Sequence, residues 1–380
     1  MSELSPTLKA ATGVPSHFPA PAFDRQGVVF ANAFAILHQA LADRVFPAAS
    51  VAVTEKGNLV CRKAFGRFTY DANAPEATTE SIFDLASVTK VVATTSMAMI
   101  LYERGLLDLD TPLVAIVPEF GGEDARRREI TLRILLAHSS GLPAYEKLFL
   151  RARTKAELFA AVCGAPLSAN PGVKAEYSDL GFILLAAALE RIAEEPMDQF
   201  CQREIFGPLG MTHTAFNPPK SWRASIPPTV DDRGFRRRII QGEVQDENAS
   251  VLGGVAGHAG LFASASDLAV FANVMLHGGR PILRSETLAL FTQRQSAPPG
   301  TSHTLGWDTP SPLSQSGKYF SPRSFGHLGY TGTSLWVDPE RRLSIVLLTN
   351  RTWPDCANPA IKRVRPRFHD AVVEALEKCQ

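Results

Sequence analysis

Cysteine is scarce in this chain of 380 residues, and the five that occur are scattered along it. No two of them show C-x-x-C spacing, and their number is odd. These features argue against a disulfide framework and against a zinc site built on cysteines. We therefore expect reduced thiols at Cys61, Cys163, Cys201, Cys356 and Cys379.

The chain also lacks an excess of charge and any long apolar run. Its 39 Lys and Arg nearly balance its 38 Asp and Glu, so no overall field favours nucleic acid or an anionic membrane. Residues 1–22 contain no apolar core like that of a signal peptide, and no later run approaches the ~20 apolar residues of a membrane helix. We expect a cytoplasmic protein, or a periplasmic or secreted one if a leader has been removed, without nucleic-acid or membrane partners. The oligomeric state stays open.

Four motifs of common enzyme classes are absent: G-x-x-x-x-G-K-[ST], G-x-G-x-x-G, H-E-x-x-H and G-x-S-x-G. Their absence argues against P-loop or Rossmann nucleotide binding, against zincin-type proteolysis and against the nucleophile turn of α/β-hydrolases.

The order of apolar patterns along the chain predicts the architecture. Strand patterns occur near both ends, at 49–54, 59–66, 305–307, 333–338 and 343–349. Helical patterns occur at 28–45, 130–137, 155–163, 179–194, 197–206 and 361–378. Residues 217–250 are predicted to form a long series of loops. Ser266 and Asp267 are expected to cap a helix that ends at His277.

This order predicts an α/β plus all-α fold, in which an antiparallel sheet is flanked by helices and interrupted by a helical insertion domain. Residues 1–85 and 260–380 would form a discontinuous sheet domain, and residues 86–259 a mainly helical one. A ligand is expected in the cleft between the two.

Ser87 opens an apolar helix, and Lys90 follows three residues later on the same helical face. A serine hydroxyl needs a neighbouring base to become a nucleophile, and a lysine can serve only if its pKa falls from ~10.4 to about 7 to 8. The neighbouring valines would provide the desolvation that lowers it. The alternative is that Ser87 is a helix cap and Lys90 a solvated side chain.

Two further segments are candidates for the same site. Tyr177 stands where a helix begins, so its phenol can enter a cleft; the alternative is a structural tyrosine bonded to the backbone. Residues 325–332 are rich in glycine, which would let a substrate approach the next strand closely; the alternative is a simple turn.

Together these segments resemble the penicillin-recognising serine hydrolases, a family that includes class C β-lactamases, DD-peptidases and family VIII carboxylesterases. Ser87-Val88-Thr89-Lys90 matches the S-x-x-K motif, Tyr177-Ser178-Asp179 the Y-x-N motif, and His327-Leu328-Gly329 the K-T-G motif in an H-x-G form. The resemblance spans most of the chain and implies a β-lactamase/transpeptidase-like fold.

The resemblance also implies a mechanism. Ser87 would attack an acyl carbonyl, Lys90 and Tyr177 would share the proton transfers, and the backbone N–H groups of Ser87 and Tyr330 would form the oxyanion hole. No metal and no organic cofactor is implied.

Three departures from the family pattern bear on the substrate. Asp179 replaces asparagine and adds a negative charge beside Lys90, which favours a protonated lysine and shifts weight to Tyr177 as the base. Leu328 replaces a threonine that helps to hold the substrate carboxylate in β-lactam-binding relatives. His327 replaces a permanent cation with a group that titrates near about pH 6.5. These changes favour an ester or amide over a β-lactam.

Residues 241–249, with residues 253–260 after them, are similar to a branch of the family that includes cell-wall muropeptide amidases. Asp246, Asn248 and His258 would then line the pocket; the alternative is a structural polar network under a glycine-rich loop. His138 lies in a segment similar to a scaffold motif of the family and is expected to be structural.

The predicted function is therefore a serine acyl hydrolase, an esterase or amidase that acts on a small ester or amide through an acyl-enzyme on Ser87, with Gly329 beside the substrate. A β-lactamase and a DD-peptidase or muropeptide amidase are the alternatives with the same fold. An inactive sensor that binds penicillin or muropeptides is the alternative of another class, and the joint presence of Ser87, Lys90 and Tyr177 argues against it.

Overall fold

The computed structural model of the chain describes Phe18, Phe23 and residues 25–378. Apart from Phe18, the stretch 1–22 that was considered as a signal peptide lies outside the described residues, as does Cys379. The described strands are β1 (Ala48–Glu55), β2 (Asn58–Gly66), β3 (Ile82–Asp84), β4 (Thr214–Phe216), β5 (Val230–Asp232), β6 (Arg238–Ile240), β7 (Leu261–Ser264), β8 (Phe325–Leu328), β9 (Ser334–Asp338) and β10 (Leu343–Thr349).

The described α-helices are α1 (Gln26–Val29), α2 (Ala31–Ala42), α3 (Ser96–Glu103), α4 (Leu113–Ile116), α5 (Leu132–Leu136), α6 (Lys155–Cys163), α7 (Asp179–Ala193), α8 (Met197–Cys201), α9 (Glu247–Val251), α10 (Ala265–Leu276), α11 (Ser285–Thr292) and α12 (Ile361–Glu377). None of these helices combines the length and the apolar character needed to cross a membrane.

The main sheet joins the two ends of the chain. Its five strands are antiparallel and lie in the order β2-β1-β10-β9-β8, so β1 pairs with β2 on one side and with β10 on the other. The predicted antiparallel sheet with flanking helices is confirmed. The division into domains at 85/86 and 259/260 stays a prediction.

The sheet is buried on both faces because its central strands are apolar at successive positions. Along β1, Ala49, Val51 and Val53 pack into one cluster with α2 and α12, whereas Ala48 and Ala52 face a second cluster that includes α10. This alternation follows from the two-residue period of a strand. The sheet is therefore a firm base for β8, the edge strand that contributes to the candidate site.

A second, three-stranded sheet of order β3-β7-β4 was not predicted from the sequence. Its strands have three or four residues, too few for a period of two to stand out. In this sheet Asp84 pairs with Phe262, which fixes the segment that leads directly to Ser87.

Other local predictions need correction. Residues 217–250, predicted as loops, contain the β5–β6 hairpin and the start of α9, and residues 305–307 form no strand. Helix α11 was missed. Helix α10 is capped by Ser264, whose Oγ accepts a hydrogen bond from the Asp267 N–H at 3.2 Å, and not by Ser266, because β7 runs straight into the helix.

Candidate active site

The nucleophile candidate lies on a tight turn that the buried carboxylate of Asp84 holds in place. Asp84 accepts hydrogen bonds from the Ala86 N–H at 2.8 Å and from the Gln245 N–H at 2.6 Å. Ala86 adopts a left-handed conformation with φ of 46°, which typically costs a residue with a Cβ atom ~1 to 3 kcal/mol and clusters at functional sites. A 3₁₀ turn over Ala86–Val88 then leaves Ser87 partly exposed.

After Ser87 the chain winds into a π-helical turn, Lys90–Thr95, before α3 begins. Such wide turns are rare and often mark functional sites. The turn buries the Lys90 side chain completely, and it brings Lys90 Nζ to 3.0 Å from Ser87 Oγ. The predicted proximity of hydroxyl and amine is therefore present.

All three protons of the Lys90 ammonium have acceptors. Besides Ser87 Oγ, they are Asp179 Oδ1 at 2.6 Å and the carbonyl oxygen of His258 at 3.2 Å. Burial is the largest single influence and lowers the pKa of Lys90, but the charges and hydrogen bonds of Asp179 and Tyr177 together outweigh it, so the pKa lies above its ordinary value. Lys90 is thus a cation at neutral pH, as expected from the aspartate at position 179.

Tyr177 and Asp179 reach the site because α7 begins there. Ser178 caps the helix, accepting a hydrogen bond from the Gly181 N–H at 3.1 Å, and Asp179 occupies the first turn, where the helix dipole favours an anion. The Tyr177 ring centroid lies 4.7 Å from Lys90 Nζ. Burial raises the pKa of Tyr177 to about 12 although the Lys90 charge lowers it, so the phenol is neutral at physiological pH.

His138 packs against Tyr177 and binds the backbone next to it. Its Nδ1 accepts a hydrogen bond from the Ser178 N–H at 3.1 Å, and its ring lies 4.5 Å from the Tyr177 ring and 4.8 Å from the Phe182 ring. Burial holds the pKa of His138 well below its usual value, which keeps the imidazole neutral. These contacts agree with the structural role expected for it.

His327, on β8, is also a neighbour of Tyr177, with the two ring centroids 5.9 Å apart. Burial lowers the pKa of His327 to about 3, and Nδ1 lies 2.8 Å from the Leu328 carbonyl oxygen. The prediction that His327 titrates near pH 6.5 was wrong, because it assumed a solvated imidazole. No cation stands at this position of the H-x-G motif.

The loop 329–333 packs directly on residues 84–88, the turn that carries Ser87 and is called the nucleophile turn below. Thr331 Oγ1 donates a hydrogen bond to the Asp84 carbonyl at 2.7 Å, and Thr333 Oγ1 donates one to the Leu85 carbonyl at 2.9 Å. A Cβ atom on Gly329 would lie 2.3 Å from the Leu85 oxygen, so only glycine fits there. Among the hydrogen bonds of the described residues, the backbone N–H groups of Ser87 and Tyr330 have no acceptor.

The three residues predicted to line the pocket divide into two groups. His258 Nε2 lies 2.9 Å from Asp246 Oδ1, and the His258 carbonyl accepts a hydrogen bond from Lys90, so both residues are linked to the site. Burial would raise the pKa of Asp246, but His258 and a backbone N–H keep it below its ordinary value.

Asn248 has a different role. Its side chain is fully buried, accepts a hydrogen bond from the Phe149 N–H at 3.0 Å and donates one to the Glu146 carbonyl at 2.8 Å. These contacts fit the structural alternative, because the amide is fully occupied in holding the 146–149 segment.

Asp84 and Arg365 were not predicted from the sequence; Arg365, on α12, binds the 329–333 loop. Asp84 lies within the segment that ends in S-x-x-K. Its hydrogen-bond partners are backbone N–H groups, which cannot be predicted from a sequence pattern. Arg365 is one of several basic residues in α12, and nothing in the sequence sets it apart. No group of three or more His, Cys, Asp or Glu in the described part of the chain is arranged to hold a metal ion.

A lysine that holds a serine hydroxyl beside a neutral phenol, with one free backbone donor on the serine and another after the edge strand of an antiparallel sheet, defines a serine hydrolase of the penicillin-recognising class. Comparison with known proteins agrees with this class. The chain belongs to the beta-lactamase family, which it matches over residues 34–365.

The chain is 32% identical over 351 residues to a protein of Escherichia coli (strain K12) named "Putative D-alanyl-D-alanine carboxypeptidase"; the match covers 83% of this chain and 80% of that protein. Among solved structures, EstCE1, described as a hydrolase with promiscuous acyltransferase activity, has a TM-score of 0.75 at 22% identity, over 92% of this chain and 100% of EstCE1.

A penicillin-binding protein homologue from Caulobacter crescentus has a TM-score of 0.71 at 18% identity, over 92% of this chain and 98% of its own. At these identities the structural similarities show the fold. The predicted family and fold are confirmed.

Proposed function

We propose that this protein is a serine acyl hydrolase that cleaves a small ester or amide through an acyl-enzyme on Ser87. The observation that carries the proposal is the 3.0 Å contact between Lys90 Nζ and Ser87 Oγ, beside the unpaired N–H groups of Ser87 and Tyr330. A nucleophile, a fixed cation and two converging donors are the parts that acyl transfer requires.

In acylation, Ser87 Oγ forms a bond to the carbonyl carbon, and the carbonyl electron pair moves to the oxygen, which the two N–H groups bind. The Ser87 proton passes to the Tyr177 oxygen, and the phenol proton passes to the leaving oxygen or nitrogen. The bond from carbon to the leaving group then breaks, which yields an alcohol or amine and the Ser87 ester. This relay suits a phenol with a pKa of about 12, because Tyr177 gives up one proton as it receives another.

In deacylation, a water oxygen attacks the Ser87 ester, and the proton of water follows the same relay in reverse to Ser87 Oγ as the acid leaves. Lys90 keeps its charge throughout and stabilises negative charge that develops on Ser87 Oγ and on Tyr177. Asp179 holds the ammonium in position at 2.6 Å.

The environment of His327 supports a neutral acyl substrate. Its imidazole is uncharged, and Leu328 offers no hydroxyl, so the H-x-G strand presents neither of the two groups that would hold a substrate carboxylate. An ester or amide without a carboxylate next to the cleaved bond therefore fits best.

A D-alanyl-D-alanine carboxypeptidase activity is the second candidate, and the name of the Escherichia coli relative favours it. Such a substrate ends in a carboxylate. Release of D-alanine from a peptide ending in D-alanyl-D-alanine, at a rate above that of short p-nitrophenyl esters, would favour this candidate over the esterase.

Replacement of Ser87 tests the proposal directly. Ser87→Ala should reduce hydrolysis of p-nitrophenyl acetate and butyrate by ~10³-fold or more, because the acyl acceptor is removed. Mass spectrometry of the wild-type protein should detect a single acyl group on Ser87 after a burst of substrate. The same turnover in wild type and Ser87→Ala would refute the assignment.

A further inference from the structure

Arg365 is a buried cation without a carboxylate partner. Its side chain, on α12, donates hydrogen bonds from Nη2 to the Gly329 and Thr333 carbonyls at 2.5 and 2.9 Å and from Nε to the Gly332 carbonyl at 3.3 Å. The remaining contact, from Nη1, is to Gln315 Oε1 at 3.1 Å. No ion pair of Arg365 occurs among the described residues.

Such an arrangement is costly, since a buried charge is usually compensated by an opposite charge. Burial and the nearby charge of Arg351 lower the pKa of Arg365 to about 9, which leaves the guanidinium charged at neutral pH. A leucine or methionine would avoid that cost but would leave the carbonyls of Gly329, Gly332 and Thr333 without this donor. The position of these carbonyls in the fold therefore decides what the charge does.

The loop that Arg365 binds is the one that carries the free N–H of Tyr330. The Gly329 carbonyl and the Tyr330 N–H belong to one peptide group, which is trans, because the cis bonds of the described residues all precede proline. In a trans peptide the C=O and N–H bonds point in opposite directions. As the carbonyl points towards Arg365 on α12, the N–H points away from α12.

The opposite side of the loop faces the nucleophile turn. Thr331 Oγ1 and Thr333 Oγ1 bond to the carbonyls of Asp84 and Leu85 there, at 2.7 and 2.9 Å. The loop is thus held between Arg365 on one side and the segment that leads to Ser87 on the other. The Tyr330 N–H is directed to the Ser87 side by this arrangement.

We propose that Arg365 is a positioning residue for the oxyanion hole: its cation binds the Gly329 carbonyl, polarises the 329–330 peptide and makes the Tyr330 N–H a stronger donor to the oxyanion. A hydrogen bond from a charged donor is about twice as strong as a neutral one, and polarisation passes along a chain of hydrogen bonds. The inference rests on the proposed function, because it assigns a task within the acyl-transfer step.

Arg127 offers a matched control within the same chain. It is also buried, and its guanidinium also binds backbone carbonyls, those of Phe120 at 2.9 Å, Ala165 at 2.8 Å and Cys163. These carbonyls lie outside the nucleophile turn and the 329–333 loop. Arg127 therefore has the same chemistry as Arg365 without a peptide of the oxyanion hole.

The first experiment compares Arg365→Lys with Arg127→Lys. The readouts are kcat and KM for a p-nitrophenyl ester, thermal stability, and the inhibition constant of phenylboronic acid, whose boron forms a tetrahedral adduct with a serine oxygen. Lysine keeps a charge but lacks the planar fork that reaches the Gly329, Gly332 and Thr333 carbonyls at once, so it should hold the 329–330 peptide less well. Arg365→Lys should therefore lower kcat and boronate affinity together by roughly 10- to 100-fold with little change in KM, somewhat less than the about 10²–10³-fold cost of losing a whole oxyanion donor. Arg127→Lys should lose stability but keep kcat and boronate affinity within about twofold of wild type.

The second experiment leaves Arg365 in place and offsets the effect of its positive charge on the 329–330 peptide with a neighbouring negative charge. Gln315→Glu keeps the size of a half-buried side chain and sets a carboxylate against Arg365 Nη1, where the amide oxygen now lies at 3.1 Å. The new ion pair should maintain or raise the thermal stability while kcat and boronate affinity fall several-fold. A purely structural Arg365 would give unchanged activity.

The outcomes are distinguishable from failure of the proposed function. Activity that survives in Ser87→Ala refutes the function itself. Loss of activity in Ser87→Ala, together with wild-type kcat and boronate affinity in a folded Gln315→Glu, overturns only the role of Arg365. If Arg365→Lys does not fold, Gln315→Glu decides the question alone.

Discussion

The two sides of the candidate active site differ in how they carry charge. On the helix side, Lys90 and Asp179 form a buried ion pair at 2.6 Å beside the phenol of Tyr177. On the strand side, His327 is neutral, and the group free to meet a substrate oxygen is the backbone N–H of Tyr330, which acts together with that of Ser87.

This difference separates two tasks. Side chains with hydroxyl and ammonium protons can receive and release protons, whereas backbone donors can only bind charge that develops on the substrate. The helix side is therefore suited to proton transfer and the strand side to stabilisation of the oxyanion. Substitutions on either side should therefore lower kcat, on the helix side through proton transfer and on the strand side through binding of the oxyanion.

The largest effect is expected on the helix side from Tyr177→Phe. Loss of the phenolic proton relay should lower kcat for an activated ester by ~10²–10⁴-fold with little change in KM. Tyr319→Phe is a matched control, because that hydroxyl bonds to Glu374, which lies on α12 away from the site, at 2.9 Å. A Tyr177→Phe enzyme with more than a tenth of the wild-type kcat would show that the phenol does not relay the proton.

On the strand side, Gly329→Ala should displace the 329–333 loop, which carries the Tyr330 N–H. The new methyl group would meet the Leu85 oxygen at 2.3 Å and Thr333 Oγ1, so the loop must move away from Ser87. We expect a fall in kcat/KM of ~10²–10³-fold, comparable to loss of an oxyanion donor. Gly27→Ala, where nothing lies within 4 Å of the added Cβ, should leave the activity unchanged.

Asp179→Asn should make the helix side resemble the more usual family pattern. Without the carboxylate, burial becomes the dominant influence and the pKa of Lys90 falls. In the variant, kcat/KM should therefore fall as the pH rises, because Lys90 loses the charge that stabilises Ser87 Oγ and Tyr177, whereas the wild-type profile should show no Lys90 titration between pH 6 and 9. Identical profiles for the two proteins would mean that Asp179 does not control the charge of Lys90.

The smallest effect concerns stability in acid, to which neutral buried histidines contribute. Burial lowers the pKa of His369 to about 3, so the unfolded state binds a proton more readily than the folded state between about pH 6.5 and 3. Stability is therefore lost as the pH falls through this window, by about 2 kcal/mol between pH 7 and 5 for one such imidazole. Asp84 acts in the opposite direction, because its raised pKa of about 6 makes the folded state bind the proton.

His369→Gln should remove that share of the acid sensitivity. Urea unfolding at pH 7 and pH 5 would measure it, with a smaller difference between the two free energies of unfolding in the variant. An unchanged difference would show that His369 is protonated in the folded protein.

Much of the site could be predicted from local sequence because its key residues stand at helix starts. Ser87 and Lys90 are three residues apart, and Tyr177 and Asp179 flank the Ser178 cap, so short-range geometry fixes how each pair presents its side chains. The long apolar strands β1 and β10 were predicted for the same kind of reason. The effect of Asp179 on the charge of Lys90 was expected because residues 177–179 resemble the Y-x-N motif, which sets position 179 beside Lys90.

Other features depended on contacts between distant parts of the chain. The pKa of His327 is set by burial and by Lys90, 237 positions earlier, and the environment of Asn248 is set by the 146–149 segment. The short strands β3, β4 and β7 form only because they pair with one another. None of these features produces a periodic pattern in the sequence. Such a pattern reflects the local geometry of a helix or strand, and it does not show which distant residues come into contact.

The sequence by itself therefore determined the family, the antiparallel sheet and the residues that meet at Ser87, since each depends on motifs and on the period of a helix or strand. Only the tertiary structure decided which side chains at the site are charged and which are neutral. It removed water from His327 and set Arg365 behind the Gly329 carbonyl. The physical reason is that pKa values and hydrogen-bond strength depend on solvent exclusion and on neighbours, and folding alone brings these together.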